Sequence, residues 1–250
     1  MILYEYPCNE RVRSLLRVEY LFDRLFHFMK GEDARCHQIA LAALFDLLDV
    51  CERTDVRTAI LQDMDKHRAS LGALRDHPGV DVHTLDGLLE ELRTTSSELS
   101  GLGRIGQCLR DNEWLVSLRG RVTVPGGSSP VDMPSYYAWQ MRAPEERNRH
   151  LQQWVAPLMP LQRCMALILR LLRDAGQPSD HQAEQGAYQE MLGGKSFQML
   201  RVWVDPKLFV FPEISANKYV IWVRFSMLDN DFKAHPAGCT IAFRLARCNL

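Results

Sequence analysis

The sequence predicts an α+β protein in which a helical body and an antiparallel β part are interleaved along the chain. Two observations carry this. Apolar residues recur at helical spacing from residue 9 to about 118 and again from about 134 to 176. Around residue 121, and once more after 190, the pattern changes to two-residue alternation rich in branched and aromatic side chains. The expected division is a helical domain over 1–118 and 134–176, and an antiparallel β domain over 119–133 and 190–250. The polar, Gly-containing stretch 177–189 reads as a connecting loop, and no internal repeat is found.

The first helix follows Asn9, a good N-cap, with Pro7 favouring an extended approach. Leu15, Val18, Phe22, Leu25 and Met29 form one stripe with Val12 at its edge, and Arg13, Arg17, Tyr20 and Arg24 share the opposite side. Asp33 caps a second helix through about Val50, bearing Ile39, Ala43, Leu47 and Val50. Thr54 or Asp55 caps a third, with Val56, Ile60, Met64, Leu71 and Leu74 inward. After a turn at Asp76–Gly79, Asp81 starts a fourth helix bearing Leu85, Leu88, Leu89 and Leu92. Thr94 to Gly103 reads as a loop, and Arg104 to Leu118 as a short helical pair.

Arg119 to Val124 reads as a strand ended by Pro125-Gly126-Gly127. Helix and strand compete over Ser135 to Met141. Pro144 suits a first helical position, and Leu161 to Asp174 is an apolar helix stopped by Gly176. Ser196–Val204, Lys218–Ser226 and Thr240–Leu245 are strands; Pro206, Pro212 and Pro236 between them suit corners and edges.

Alternation separates the faces of these strands. Leu200, Val202 and Val204, then Tyr219, Ile221, Val223 and Phe225, then Ile241, Phe243 and Leu245 form apolar sets. Opposite them stand Arg201, Trp203, Lys218, Val220, Trp222, Arg224 and Arg244, with Arg119 and Arg121 alternating in the early strand. If the strands share one sheet, its second face interleaves cations with two tryptophans. Such a face is either a solvated surface, with Arg and Lys stems covering the indoles, or a groove for an acidic peptide with apolar side chains.

Composition sets bounds. A hydrophobic fraction of 46% with 24% charged residues is that of a folded protein. A net charge of −1 argues against a dedicated nucleic-acid binder. No apolar run approaches the roughly 18 residues of a membrane span, and charge and a Pro-Cys-Asn break argue against a signal peptide. The seven cysteines are scattered and odd in number, so free thiols are expected. No catalytic set emerges, no histidine spacing suits a metal, and Cys36-His37 is unpartnered locally. Neither cofactor nor enzymatic activity is expected.

The run Tyr4-Glu5-Tyr6-Pro7-Cys8-Asn9-Glu10-Arg11-Val12-Arg13, followed by Leu16-Arg17-Val18-Glu19, resembles the opening of the ZapD family. Leu47–Arg53 with Asp55–Thr58 resembles that family's second block, Arg104–Arg110 with Val124–Gly127 its third, and Pro212–Ser215 ahead of Val223–Phe225 its fourth. The resemblance implies a cytoplasmic bacterial division protein that pairs a helical domain with a β-sandwich-like domain. It implies a symmetric dimer formed largely through the helical part, and a basic surface that binds the acidic and apolar C-terminal tail of FtsZ. A dimer presents that surface twice, so bundling of FtsZ filaments and lowered GTPase turnover would follow.

The arginines matching that surface are Arg53 and Arg224, with Arg17 a third candidate. Arg57 joins Arg53 from a reading of the residues: in the first turn of a helix a cation is disfavoured by the macrodipole. A compensating anion would then come from Glu52, from Asp55 or from a partner. Where some relatives are basic this chain has Glu113 and Val220, and it has Tyr137 in place of a histidine. Arg201, Trp203 and Trp222 are candidates to compensate, and Lys218 belongs to the same strand face. A single cleft fed by cations from both domains is the expectation. The alternative is an RNA or single-stranded nucleic-acid adaptor that stacks bases on the Arg/Trp face.

Overall fold

The alternation after residue 190 builds two antiparallel sheets rather than one. The computed structural model describes every residue except Thr54, Asp55 and the side chain of Arg53. It divides into a strand unit, Met1–Leu16 with Leu169–Leu250, and a helical unit, Arg17–Ile168.

In the strand unit β1 (Ile2–Pro7), β2 (Ser179–Ala183), β4 (Met199–Val204) and β8 (Ile241–Cys248) form a sheet in the order β1-β4-β8-β2. The second sheet runs β3 (Ala187–Met191), β6 (Val220–Leu228), β5 (Val210–Ala216), with β7 (Ala234–Pro236) also pairing β6. Leu200, Val202, Val204, Ile241, Phe243 and Leu245 of the first sheet pack against Val210, Ile221, Val223 and Phe225 of the second. The apolar sets expected to face a core do so except for Tyr219, which precedes β6 in the turn and is 57% exposed. Pro212 lies in β5 and Pro236 in β7, strands at the margin of their sheet, where a missing N–H breaks no ladder.

Two expectations change in this unit. The segment 177–189 is not a loop but most of the β2–β3 hairpin, which steps from one sheet to the other through Gly186 at φ 71°. Its polar residues belong to exposed strand positions, where polarity does not exclude pairing. Residues 1–16, expected in the helical domain, belong here instead, since β1 pairs with β4 from Ile2↔Val204 to Pro7↔Met199. Val12, Leu16 and Leu172 cover Met199 and Cys248 on the outer face of the first sheet.

The helix capping signals act as expected. Asn9 Oδ1 accepts from Val12 N at 2.8 Å to start α1 (Glu10–Met29), and Asp33 Oδ1 accepts from Arg35 N at 2.8 Å to start α2 (Ala34–Arg53). Asp81 caps α4 (Val82–Ser100) in the same way. The expected cap of α3 (Val56–Gly72) falls on Thr54 and Asp55, outside the described residues. The whole α1 stripe from Val12 to Met29 is buried, and Val56, Ile60 and Met64 line α3; Leu74 is instead exposed, in the turn beyond.

α4 runs through Thr94–Ser100, read from sequence as loop, because Leu92 and Leu99 bury two turns apart while the Ser and Thr residues stay on its outer side. α5 (Gln107–Arg110) and α6 (Glu113–Val122) are the expected short pair, and α7 (Pro134–Gln140) settles the ambiguous segment as helix. The strand expected at 119–124 is instead the end of α6, through Val122, and the turn that follows it. Asn112 caps the helix, Leu115 and Leu118 bury at helical spacing, and Arg119 reaches Asp49 and Glu52 on α2. Burial of Leu115 and Leu118 and the ion pairing of Arg119 outweigh the β preference of Val122.

The remaining helices are α8 (Pro144–Val155) and α9 (Met159–Asp174), joined by a 3₁₀ turn. Pro144–Asp174 is, among the described residues, the one helical stretch long and apolar enough to cross a membrane by length and composition, and 50% of its apolar window is buried inside the protein.

Candidate peptide-binding surface

The register of β5 on β6 sets Trp222 opposite Ser215 and Arg224 opposite Glu213; β3 on the other side sets Gln189 and Ala187 against the same two residues. Because Ile221, Val223 and Phe225 point into the core, Trp222 and Arg224 stand outward, two residues apart on one face. With Glu213, Ile214 and Ser215 they line a shallow hollow. Trp222 is 45% exposed. Among the described residues the Arg224 guanidinium forms no ion pair or hydrogen bond. The Glu213 carboxylate across from it accepts from Ser226 Oγ at 3.2 Å. An unpaired cation beside a half-exposed indole can hold a carboxylate and an adjacent apolar side chain together.

Of the other candidates, Lys218 lies not in a strand but in the β5–β6 turn. There Asn217 Oδ1 accepts from the backbone N–H of Tyr219 and Val220, and the Lys218 ammonium sits 4.9 Å over the Tyr219 ring. Arg201 belongs to the other sheet. It ion-pairs with Glu5 at 3.0 Å, Glu5 also takes Arg173, and the Arg201 guanidinium lies 4.8 Å from the Trp203 ring. The expected single Arg/Trp face is therefore two faces on opposite sides of a sandwich: Arg201, Trp203 and Arg244 on one, Trp222 and Arg224 on the other. Sequence periodicity assigns in or out to a residue and says nothing of which sheet a strand joins.

In the helical unit Arg57 is occupied within the fold. Its Nε donates to Leu99 O at 3.3 Å and its Nη2 to Ser100 O at 2.7 Å, so the guanidinium satisfies the last carbonyls of α4. The anion sought for it is the negative end of that helix. Glu52 instead accepts from Arg110 and Arg119, and these two arginines hold its carboxyl down at about 2, well below the usual range. Arg17 is exposed on α1 and forms no ion pair among the described residues. Arg53 ends α2, and its side chain lies outside the described residues.

Arg224 and Trp222 are thus brought together, with Lys218 in the turn that precedes their strand. Sequence reasoning missed Glu213 and Ser215 beside them; the edge-strand signal of Pro212 was the available clue. Among the described residues no group of three or more His, Cys, Asp or Glu is placed to hold a metal ion.

Residues 16–224 match the family described as ZapD, cell division protein. The chain belongs to the ZapD family. It is 59% identical over 249 residues to the cell division protein ZapD of Bordetella petrii, covering 100% of both chains. It is 54% identical to those of Bordetella pertussis and Bordetella bronchiseptica, covering 100% of this chain and 98% of theirs. Every candidate cation lies inside the matched span. Glu113 opens α6, Val220 opens β6, and Tyr137 is 44% exposed on α7.

Proposed function

We propose that this ZapD-family chain is a non-enzymatic division factor that binds the C-terminal tail of FtsZ on the outer face of β5 and β6. Arg224 receives a tail carboxylate, Trp222 covers a neighbouring apolar side chain, and Lys218 adds charge at the strand's start. Arg53 and Arg17 of the helical unit are further candidate contacts, while Arg57 and Arg201 serve the fold. The observation that carries the reading is the Arg224 guanidinium left without an internal carboxylate beside the half-exposed Trp222. A homodimer would present the surface twice and cross-link protofilaments even with weak single contacts. Bundling would favour ring assembly at midcell in the cytoplasm and slow FtsZ GTPase turnover. No membrane or nucleic-acid contact is part of the reading.

The test is titration of a labelled FtsZ tail peptide and of a single-stranded oligonucleotide, with parent and Arg224→Glu. Expected is saturable binding of the peptide that Arg224→Glu weakens, with filament pelleting reduced in parallel. Unchanged peptide binding and pelleting in that variant would refute the site; preferential uptake of the oligonucleotide would replace the function with nucleic-acid binding.

A further inference from the structure

At the far end of the second sheet two phenylalanines are held out in solvent by the backbone. Phe209 is 83% exposed at φ 50°, and Phe232 is 82% exposed at φ 60°. A bulky L side chain disfavours left-handed backbone, so both turns hold an aromatic where Gly or Asn would sit more easily. The turns are well built. Phe209 N donates to Pro206 O at 3.2 Å, Phe232 N to Asp229 O at 3.0 Å, and Asp229 Oδ1 accepts from Asp231 N and Lys233 N.

Register brings the two rings to one tip. Val210 pairs with Met227, so Phe209 lies beside Leu228, and Leu228 pairs with Ala234, two residues past Phe232. Phe209 and Ala234 are thus about two strand spacings apart, roughly 10 Å, and Phe232 lies in the turn that joins Leu228 to Ala234 at the same end of the sheet. Leu228, 51% exposed, ends β6, the strand between β5 and β7, and Leu208, 36% exposed, precedes Phe209. None of these residues serves the core or the Trp222–Arg224 surface.

We infer that this tip is a self-association surface that meets the same tip of a second copy of the chain. The charges around it decide the occupant. In sequence Lys207 and Lys233 flank the two rings, and the Phe232 turn carries Asp231 and Asp229, the latter ion-paired with His235 at 2.8 Å. An apolar centre rimmed by both signs is complementary to itself under a two-fold axis. It has no net positive charge to draw an anionic membrane. Area sets the strength. Two exposed Phe rings with the leucines offer roughly 400–500 Å² per copy, under about 1,000 Å² for a pair, which is short of a stable dimer. The contact is weak and forms between copies already concentrated on a common scaffold. It would be a second two-fold contact in addition to any dimer made elsewhere, and two such contacts on one chain link copies beyond the dimer.

Sedimentation velocity of the full chain, from low to high micromolar concentration, tests this. The sedimentation coefficient should rise beyond that of the species dominant in dilute solution. Phe209→Ser with Phe232→Ser should weaken the rise at least about tenfold. Phe232→Asn, suited to left-handed backbone, should also weaken it while raising Tm, which excludes misfolding as the cause. A parent coefficient independent of concentration, or an equal rise in the variants, overturns the proposal. So does binding to phosphatidylserine vesicles that depends on both rings, which would assign the tip to lipid. Tail-peptide affinity, measured on the same samples, reports separately on the Trp222–Arg224 surface.

Discussion

Trp222 and Arg224 would serve a bound tail through different physics, and replacing each alone separates them. Trp222 is 45% exposed, so of the ~250 Å² an indole side chain can bury, about 110 Å² is left for a partner. At about 25 cal/mol per Å² that is up to ~2.8 kcal/mol, roughly a hundredfold in Kd, before the ordering costs of association. About 1–2 kcal/mol should survive, or roughly 5–30-fold. An exposed ion pair at Arg224 contributes only about 0.2–1 kcal/mol, roughly 1.5–5-fold. Trp222→Ala should therefore weaken tail binding more than Arg224→Gln and leave its salt dependence intact. Arg224→Gln should cost less and flatten that dependence, because screening acts on the charge it removes. Anisotropy of a labelled tail peptide across a salt series, with Tm as a check on folding, reads both effects. The opposite order, with Arg224→Gln abolishing binding and Trp222→Ala silent, would refute the argument, since it requires a desolvated pocket that an open sheet face cannot supply. Silence of both variants would remove the surface.

Other outcomes follow from the fold. Arg57→Ala should destabilise the helical unit by about 1–3 kcal/mol in urea unfolding, because two carbonyls at the end of α4 lose a charged donor, while tail affinity at Trp222–Arg224 stays unchanged. His37 is buried and accepts from Arg147 Nε at 3.0 Å; burial and then the Arg147 charge push its pKa below 6.5. The unfolded chain therefore binds the proton more readily, so stability due to neutral His37 is full above about pH 6.5 and falls as pH drops below it. In His37→Gln the fall in Tm between about pH 7 and pH 5 should be shallower. Gly186→Ala places a Cβ against the Ala237 carbonyl in left-handed backbone and should cost about 2 kcal/mol or more in equilibrium unfolding, whereas Gly238→Ala, with open space around it, should be close to neutral.

Much of the helical structure was legible because its signals are local. Asn9, Asp33 and Asp81 are caps whose partners lie within a few residues, and the buried stripe of α1 needs only its own period. The misreadings came where a distant partner overrode a local preference. Arg119–Val122 looks like a strand until Asp49 and Glu52 of another helix reach Arg119, and 177–189 looks like a loop until β6 and β8 offer it ladders.

For the candidate site, the sequence by itself determined that Trp222 and Arg224 face away from the core, since alternation along a strand is a property of the backbone. It also determined the family, through motifs spread along the chain. Only the tertiary structure decided which cations are spent. Arg201 is held by a glutamate two hundred residues earlier in the chain, and Arg57 by the end of a helix some forty residues later. Charge alone cannot tell an arginine kept for a partner from one closing a helix, because that depends on what the fold places within reach of the guanidinium.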